Sequence, residues 1–118
     1  MIYISDSFSL AMLDREQQRK DCAKGRAGGF PRIPYPVDEP KAWIRDRVRT
    51  FGMPESIAVH DGMAAVLSSK LEIELRRNPG LVRLADSDVL LVGQYFGVPW
   101  PEGVTIMPKG GRIEWWGV

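Results

Sequence analysis

This chain of 118 residues has one cysteine, one histidine and almost no excess charge of either sign, and each shortage closes off a class of function. The lone Cys22 excludes an intrachain disulfide and any multi-cysteine metal site, which suits a reducing cytoplasm. Sixteen basic residues against fifteen acidic ones leave a formal charge of +1, too weak a field to hold a nucleic-acid duplex by counterion release. A small anion in a local pocket is still within reach. No window approaches the ~18 apolar residues of a membrane span, and the opening MIYISDSF carries neither a basic leader nor a long apolar run. No internal repeat, phosphate-binding glycine loop, dinucleotide fingerprint or metal-ligand spacing is present, so no metal or cofactor is expected. These shortages point to a soluble cytoplasmic protein with no membrane or duplex partner.

At this length, with 44% hydrophobic residues, the chain can build one ordinary core, and a single domain over residues 1–118 is expected. Residues 1–4 are apolar and β-branched and read as a strand. It ends in the polar Ser5, Asp6 and Ser7, and Ser7 or Ser9 can cap a helix running through Leu10, Met12 and Leu13. Small polar residues between a strand and a helix offer hydroxyls and N–H groups at a sheet edge, for capping or for a ligand. Residues 22–37 are rich in glycine and proline and carry Lys24, Arg26 and Arg32. They read as a long loop, either a solvated connection or a basic flap able to close over a phosphate, and prolines at 31, 34 and 36 exclude a central strand. The clearest helix signal begins at Asp38: Pro40 lies in the first turn, Ile44, Val48 and Phe51 recur at helical spacing, and Gly52 then Pro54 supply the stop. Arg45, Arg47 and Arg49, interleaved with Asp46, read as its solvated face. Further on, residues 71–77 alternate apolar with acidic residues as a half-buried strand does, residues 81–85 and 89–92 read as two more strands, and Gln94 is placed just past the buried VLLV run. A Lys109-Gly110-Gly111 turn leads into a last strand, 112–116. There Trp115 and Trp116 point to opposite faces, so both faces need cover, one of them from a partner subunit. The fold expected is α+β, a mixed sheet of about five strands flanked by helices.

The stretch ESIAVHDGMAAVLSS, residues 55–69, holds the only histidine. Met63, Ala64, Val66, Leu67 and Leu71 recur at helical spacing, and Asp61 can cap that helix through its carboxylate, which places His60 just before a helix N-terminus. The first N–H groups there lack intrahelical partners and the dipole is positive, so a phosphate can bind with an imidazole in proton-transfer reach. The same position also suits a histidine that only hydrogen-bonds a turn.

Three stretches together carry a resemblance: YISDSFSLAML at residues 3–13, ESIAVHDGMAAVLSS at 55–69 and Pro-Glu-Gly at 101–103. The chain resembles the small ring-nuclease family that includes type III anti-CRISPR proteins of archaeal viruses and phages, enzymes that cleave cyclic oligoadenylate second messengers. The resemblance implies a symmetric homodimer that binds the cyclic oligonucleotide across its two-fold axis and suppresses antiviral signalling, in the host cytoplasm if the source is a virus. It casts His60 as the catalytic histidine and Glu102 as its acidic assistant. Ser9 becomes a phosphate- or ribose-contacting serine, Arg77 a ligand-binding arginine with Arg83 as the fallback in another register, and Gln94 a glutamine near the site. Asp6, Ser7, Asp61 and Gly62 complete the expected ligand-binding set, and Trp100 can stack on a base. Three departures stand out. Gly62-Met63 replaces a common Ser-Thr pair, Asp6 stands where many members have asparagine, and Pro99 or Trp100 occupies the place of an arginine. The competing reading is a non-catalytic protein, either a sponge for a cyclic nucleotide or a protein-binding inhibitor of a defence system.

Overall fold

The computed structural model describes residues 1–8, 33–78, 82–85, 87–101 and 103–118. Five strands and two helices are formed among them: β1 Ile2–Ser5, β2 Tyr35–Pro36, α1 Pro40–Phe51, β3 Glu55–Ser56, α2 Asp61–Leu71, β4 Val89–Phe96 and β5 Arg112–Gly117. The sheet order is β2-β5-β4-β1-β3. β1 runs parallel to both of its neighbours, with Ile4 opposite Ser56 on one side and Leu91 on the other, while β5 is antiparallel to β4 and β2. This mixed sheet with helices is the α+β architecture expected from the sequence.

The period of two along each strand sorts the core into two clusters. Ile2, Ile4 and Leu91 join Trp43 and Ile44 of α1 and Met63, Leu67 and Leu71 of α2 on one face, with Ile113 and Trp115 packed against them. Leu90, Val92, Val118, Ile57 and Leu84 form the other cluster, flanked by Tyr3, Phe8 and Trp116. Ile2, Ile4, Leu67, Leu90 and Leu91 have no exposed surface, and burying each such side chain contributes roughly 1.5–3 kcal/mol. Trp115 and Trp116 do lie on opposite faces, and each meets a cluster of its own chain. Gly93 sits opposite Trp115 in the β4–β5 ladder, and a Cβ there would strike both the Trp115 ring and Leu67, so the central strand carries a glycine to let the indole lie across it.

α1 forms where proline and apolar spacing place it. Pro40 occupies the first turn, Trp43 and Ile44 are buried, and Gly52, at φ 82°, ends the helix with its N–H on the Val48 carbonyl. Arg45 and Arg49 are exposed as expected, but Arg47 is not simply solvated. Its guanidinium lies 4.0 Å from the centroid of Trp43 and within reach of the Tyr35 hydroxyl, which also accepts the Trp43 indole N–H at 2.9 Å. The prolines keep Tyr35–Pro36 at the sheet edge, where a missing N–H costs nothing.

Four expectations need correction. Asp61 is the first helical residue and not the cap: His60 is the N-cap, in extended conformation, and no side chain caps α2. Residues 71–77 are not a strand, because α2 runs on to Leu71 and Glu72 turns the chain in a left-handed conformation. Beyond it the Leu75 N–H is taken by the Ser68 hydroxyl at 2.8 Å, and only Arg77 bridges, to Ala58. Residues 82–85 belong to none of the five strands, although Leu84 is buried in the second cluster. Gln94 lies within β4, which continues to Phe96, and not beyond the strand. The helix expected around Leu10–Leu13, Cys22 and the basic part of the 22–37 loop up to Arg32 lie outside the described residues.

Candidate functional site

The three mutually parallel strands β1, β3 and β4 finish on one edge of the sheet, the edge at which open α/β sheets hold their ligands. With Ile4 level with Ser56, two further residues along each chain bring Asp6 beside the segment that leads into α2. Asp6 is buried, and its carboxylate accepts two backbone hydrogen bonds there and meets the His60 ring. Oδ1 takes the Val59 N–H at 3.0 Å, and Oδ2 takes the His60 N–H at 3.1 Å and lies 3.0 Å from the imidazole Nδ1. The side chain of Asp6 is 1% exposed and that of His60 is 74% exposed, so an accessible imidazole stands on a sequestered carboxylate. Nδ1 is thereby occupied, which leaves Nε2 as the nitrogen available to a ligand.

On the far side of Val59, Arg77 donates from Nε to the Val59 carbonyl at 2.8 Å. This bond and the Ala58–Arg77 bridge hold the guanidinium at the mouth of the same cleft. Arg83 is exposed and does not line it, so of the two arginines Arg77 is the one at the cleft. α2 begins at the cleft: its first internal bond is from the Ala64 N–H to the His60 carbonyl, so the N–H groups of Asp61, Gly62 and Met63 have no intrahelical acceptor.

The cleft encloses about 740 Å³, and Asp6, His60, Asp61, Gly62, Arg77 and Gln94 all line it. Tyr95 and Trp100 add two aromatic rings to its wall. Trp100 donates its indole N–H to the Val104 carbonyl at 2.7 Å and meets Tyr95 edge to face, with ring centroids 5.0 Å apart. The Tyr95 hydroxyl is tied in turn to the Val98 carbonyl at 2.6 Å. Gly62 is buried beneath this arrangement, and a Cβ there would collide with the Val104 carbonyl oxygen and the indole nitrogen. Glycine at position 62 therefore leaves the space that the tryptophan fills. Tyr95 escaped the sequence reading, which ended the strand at Val92; the only signal was the continuation of the strand pattern through Tyr95 and Phe96.

Ser7 is exposed and does not line the cleft; its backbone N–H and carbonyl bond the Ser5 hydroxyl. Ser9 and Glu102 lie outside the described residues. Among the described residues no three His, Cys, Asp or Glu side chains converge as a metal site would require, and no helix is long and apolar enough to cross a membrane. The arrangement can place a phosphate between a helix N-terminus and a guanidinium and move a proton at Nε2.

No family profile matches the chain, and no curated protein matches it. The fold is similar to that of B116 of Sulfolobus turreted icosahedral virus, with a TM-score of 0.64 at 17% sequence identity over 98% of this chain and 96% of that one.

Proposed function

We propose that the protein binds a cyclic oligonucleotide of the oligoadenylate class and opens it by attack of a ribose 2′-hydroxyl on the adjacent 3′–5′ phosphodiester. The observation that carries this reading is the His60 imidazole. Its Nδ1 is tied down at Asp6, and the exposed ring lines a cleft that is also lined by Arg77 and by the start of α2, where the first N–H groups have no intrahelical acceptor. RNA supplies its own nucleophile, so the protein has only to hold the 2′-oxygen in line with phosphorus and manage protons and charge. In the step proposed, His60 Nε2 takes the 2′ proton, the O2′–P bond forms and the P–O5′ bond breaks. The departing 5′-oxygen is protonated by Glu102 in the role the family resemblance gives it, or by water. The product is a linear chain ending in a 2′,3′-cyclic phosphate. Arg77 and the α2 N-terminus face the charge that grows on the phosphate, and Trp100 and Tyr95 offer ring surfaces to a base. The similarity to a viral protein's fold agrees with a protein that suppresses antiviral signalling, and a two-fold dimer would present two such clefts to a ring of matching symmetry.

Incubation with cyclic di-, tri-, tetra- and hexanucleotides, followed by chromatography of products, tests the proposal. His60→Ala should lose ~10²–10⁴-fold in rate while retaining most binding, with 2′,3′-cyclic phosphate products from the wild type and no effect of chelator. An unchanged rate in His60→Ala, or cleavage abolished by EDTA, refutes it. Gly62, which brings no hydroxyl to the helix N-terminus, favours a second reading, a sponge that holds the ring uncut. That reading predicts intact ligand recovered from the protein.

A further inference from the structure

We propose that Asp6 is a positioning residue that fixes the tautomer of His60, presenting Nε2 to the substrate as a proton acceptor. The inference rests on the proton-transfer reading above and adds what decides the direction of transfer. A neutral imidazole carries one proton on either nitrogen, and the partner of one nitrogen dictates the state of the other. Oδ2 of Asp6, 3.0 Å from Nδ1, belongs to a carboxylate that can only accept. The proton therefore sits on Nδ1 and the lone pair on Nε2. Among the described residues no other group is hydrogen-bonded to the ring.

The carboxylate is itself held in place. It is almost wholly buried, and the Val59 and His60 backbone N–H groups fix both oxygens, so it cannot swing away from the ring. An asparagine could not do the same work. With one oxygen for three donors, its NH₂ would face the Val59 N–H in one orientation, and the His60 N–H together with Nδ1 in the other. In the second orientation the ring must accept at Nδ1, which puts the proton on Nε2 and reverses its role in the cleft. The acid at position 6 thus commits His60 to taking a proton from the substrate.

The chain has a single histidine, so the test is free of assignment ambiguity. Nitrogen-15 NMR of the ligand-free protein, at a pH where the ring is neutral, should show a protonated Nδ1 and a bare Nε2, the opposite of the form a free histidine side chain favours. Asp6→Ala should revert to the Nε2-protonated form and lose ~10²-fold in kcat with a much smaller change in KM. An Nε2-protonated ring in the wild type, or an Nδ1-protonated ring in Asp6→Ala, overturns the proposal. The wild-type spectrum alone decides should the variant not fold. The spectrum requires no substrate, so a protein that cleaves no cyclic oligonucleotide refutes the functional reading while the tautomer answers separately.

Discussion

Replacing Gly62 by alanine ought, on helix propensity alone, to stabilise α2 by up to ~1 kcal/mol. The packing predicts the opposite. The added methyl would strike the Val104 carbonyl oxygen, which is backbone and cannot swing aside, and the Trp100 indole nitrogen, which is bonded to that same carbonyl. Overpacking of this kind costs ~1–3 kcal/mol, and displacing the indole forfeits a hydrogen bond worth a further ~0.5–1.5 kcal/mol. Set against the propensity gain, the net loss should be ~0.5–3.5 kcal/mol, a fall in Tm of several degrees for a chain of this size. Thermal unfolding followed by circular dichroism measures it, and a cycle with Trp100→Ala isolates the cause. In the Trp100→Ala background the indole clash is gone while the clash with the Val104 carbonyl stays, so Gly62→Ala should cost less there but not nothing, with a coupling of at least ~0.5 kcal/mol. A Gly62→Ala protein as stable as its parent, or equal costs in both backgrounds, would show that the Trp100 wall does not press on α2 as described.

Arg77→Ala should weaken binding of a cyclic oligonucleotide at least ten-fold, since a charge-assisted contact is worth ~1.5–3 kcal/mol; Arg77→Lys should recover part of it, and calorimetry that finds Arg77→Ala unchanged removes Arg77 from the site. The Tyr3 hydroxyl is raised above its ordinary value of 10.0, chiefly by burial and further by Asp88 and Glu55. The folded chain keeps a proton that the unfolded chain releases, so this contribution is whole below about pH 10 and is lost as pH rises through the raised value. Urea midpoints measured from about pH 9 to 11 should therefore fall more steeply for the wild type than for Tyr3→Phe, and parallel slopes would contradict the assignment. Light scattering at micromolar concentration should give twice the chain mass, whereas a monomer throughout would refute the two-fold arrangement.

Where the sequence was legible, local chemistry and tertiary packing agreed. The VLLV run is continuously apolar because β4 is central and covered on both faces, and α1 is bounded by Pro40 and Gly52, residues that set its start and stop. The two shortest strands were invisible: Glu55–Ser56 and Tyr35–Pro36 exist because β1 and β5 pair with them, and two residues carry no period. The alternation around Ile73 and Leu75 misled for the converse reason. Both side chains meet the core, but the backbone between Glu72 and Arg77 has the Ser68 hydroxyl where a strand would need a partner. At the candidate site, His60 could be placed at a helix start from the spacing that follows it. Its bond to Asp6, 54 residues away, depends on the β1–β3 register and could not.

Val59 is gripped from both sides, its N–H by the buried carboxylate of Asp6 and its carbonyl by the guanidinium of Arg77. Neither grip involves its side chain, which is only half-buried and lines the cleft. Frame and surface are thus separable at this one residue, and position 59 is where the lining of the cleft can be changed without touching the bonds that hold it. A library randomised there, with Asp6 and Arg77 kept, should retain folded members far more often than one randomised at either of the residues that hold it.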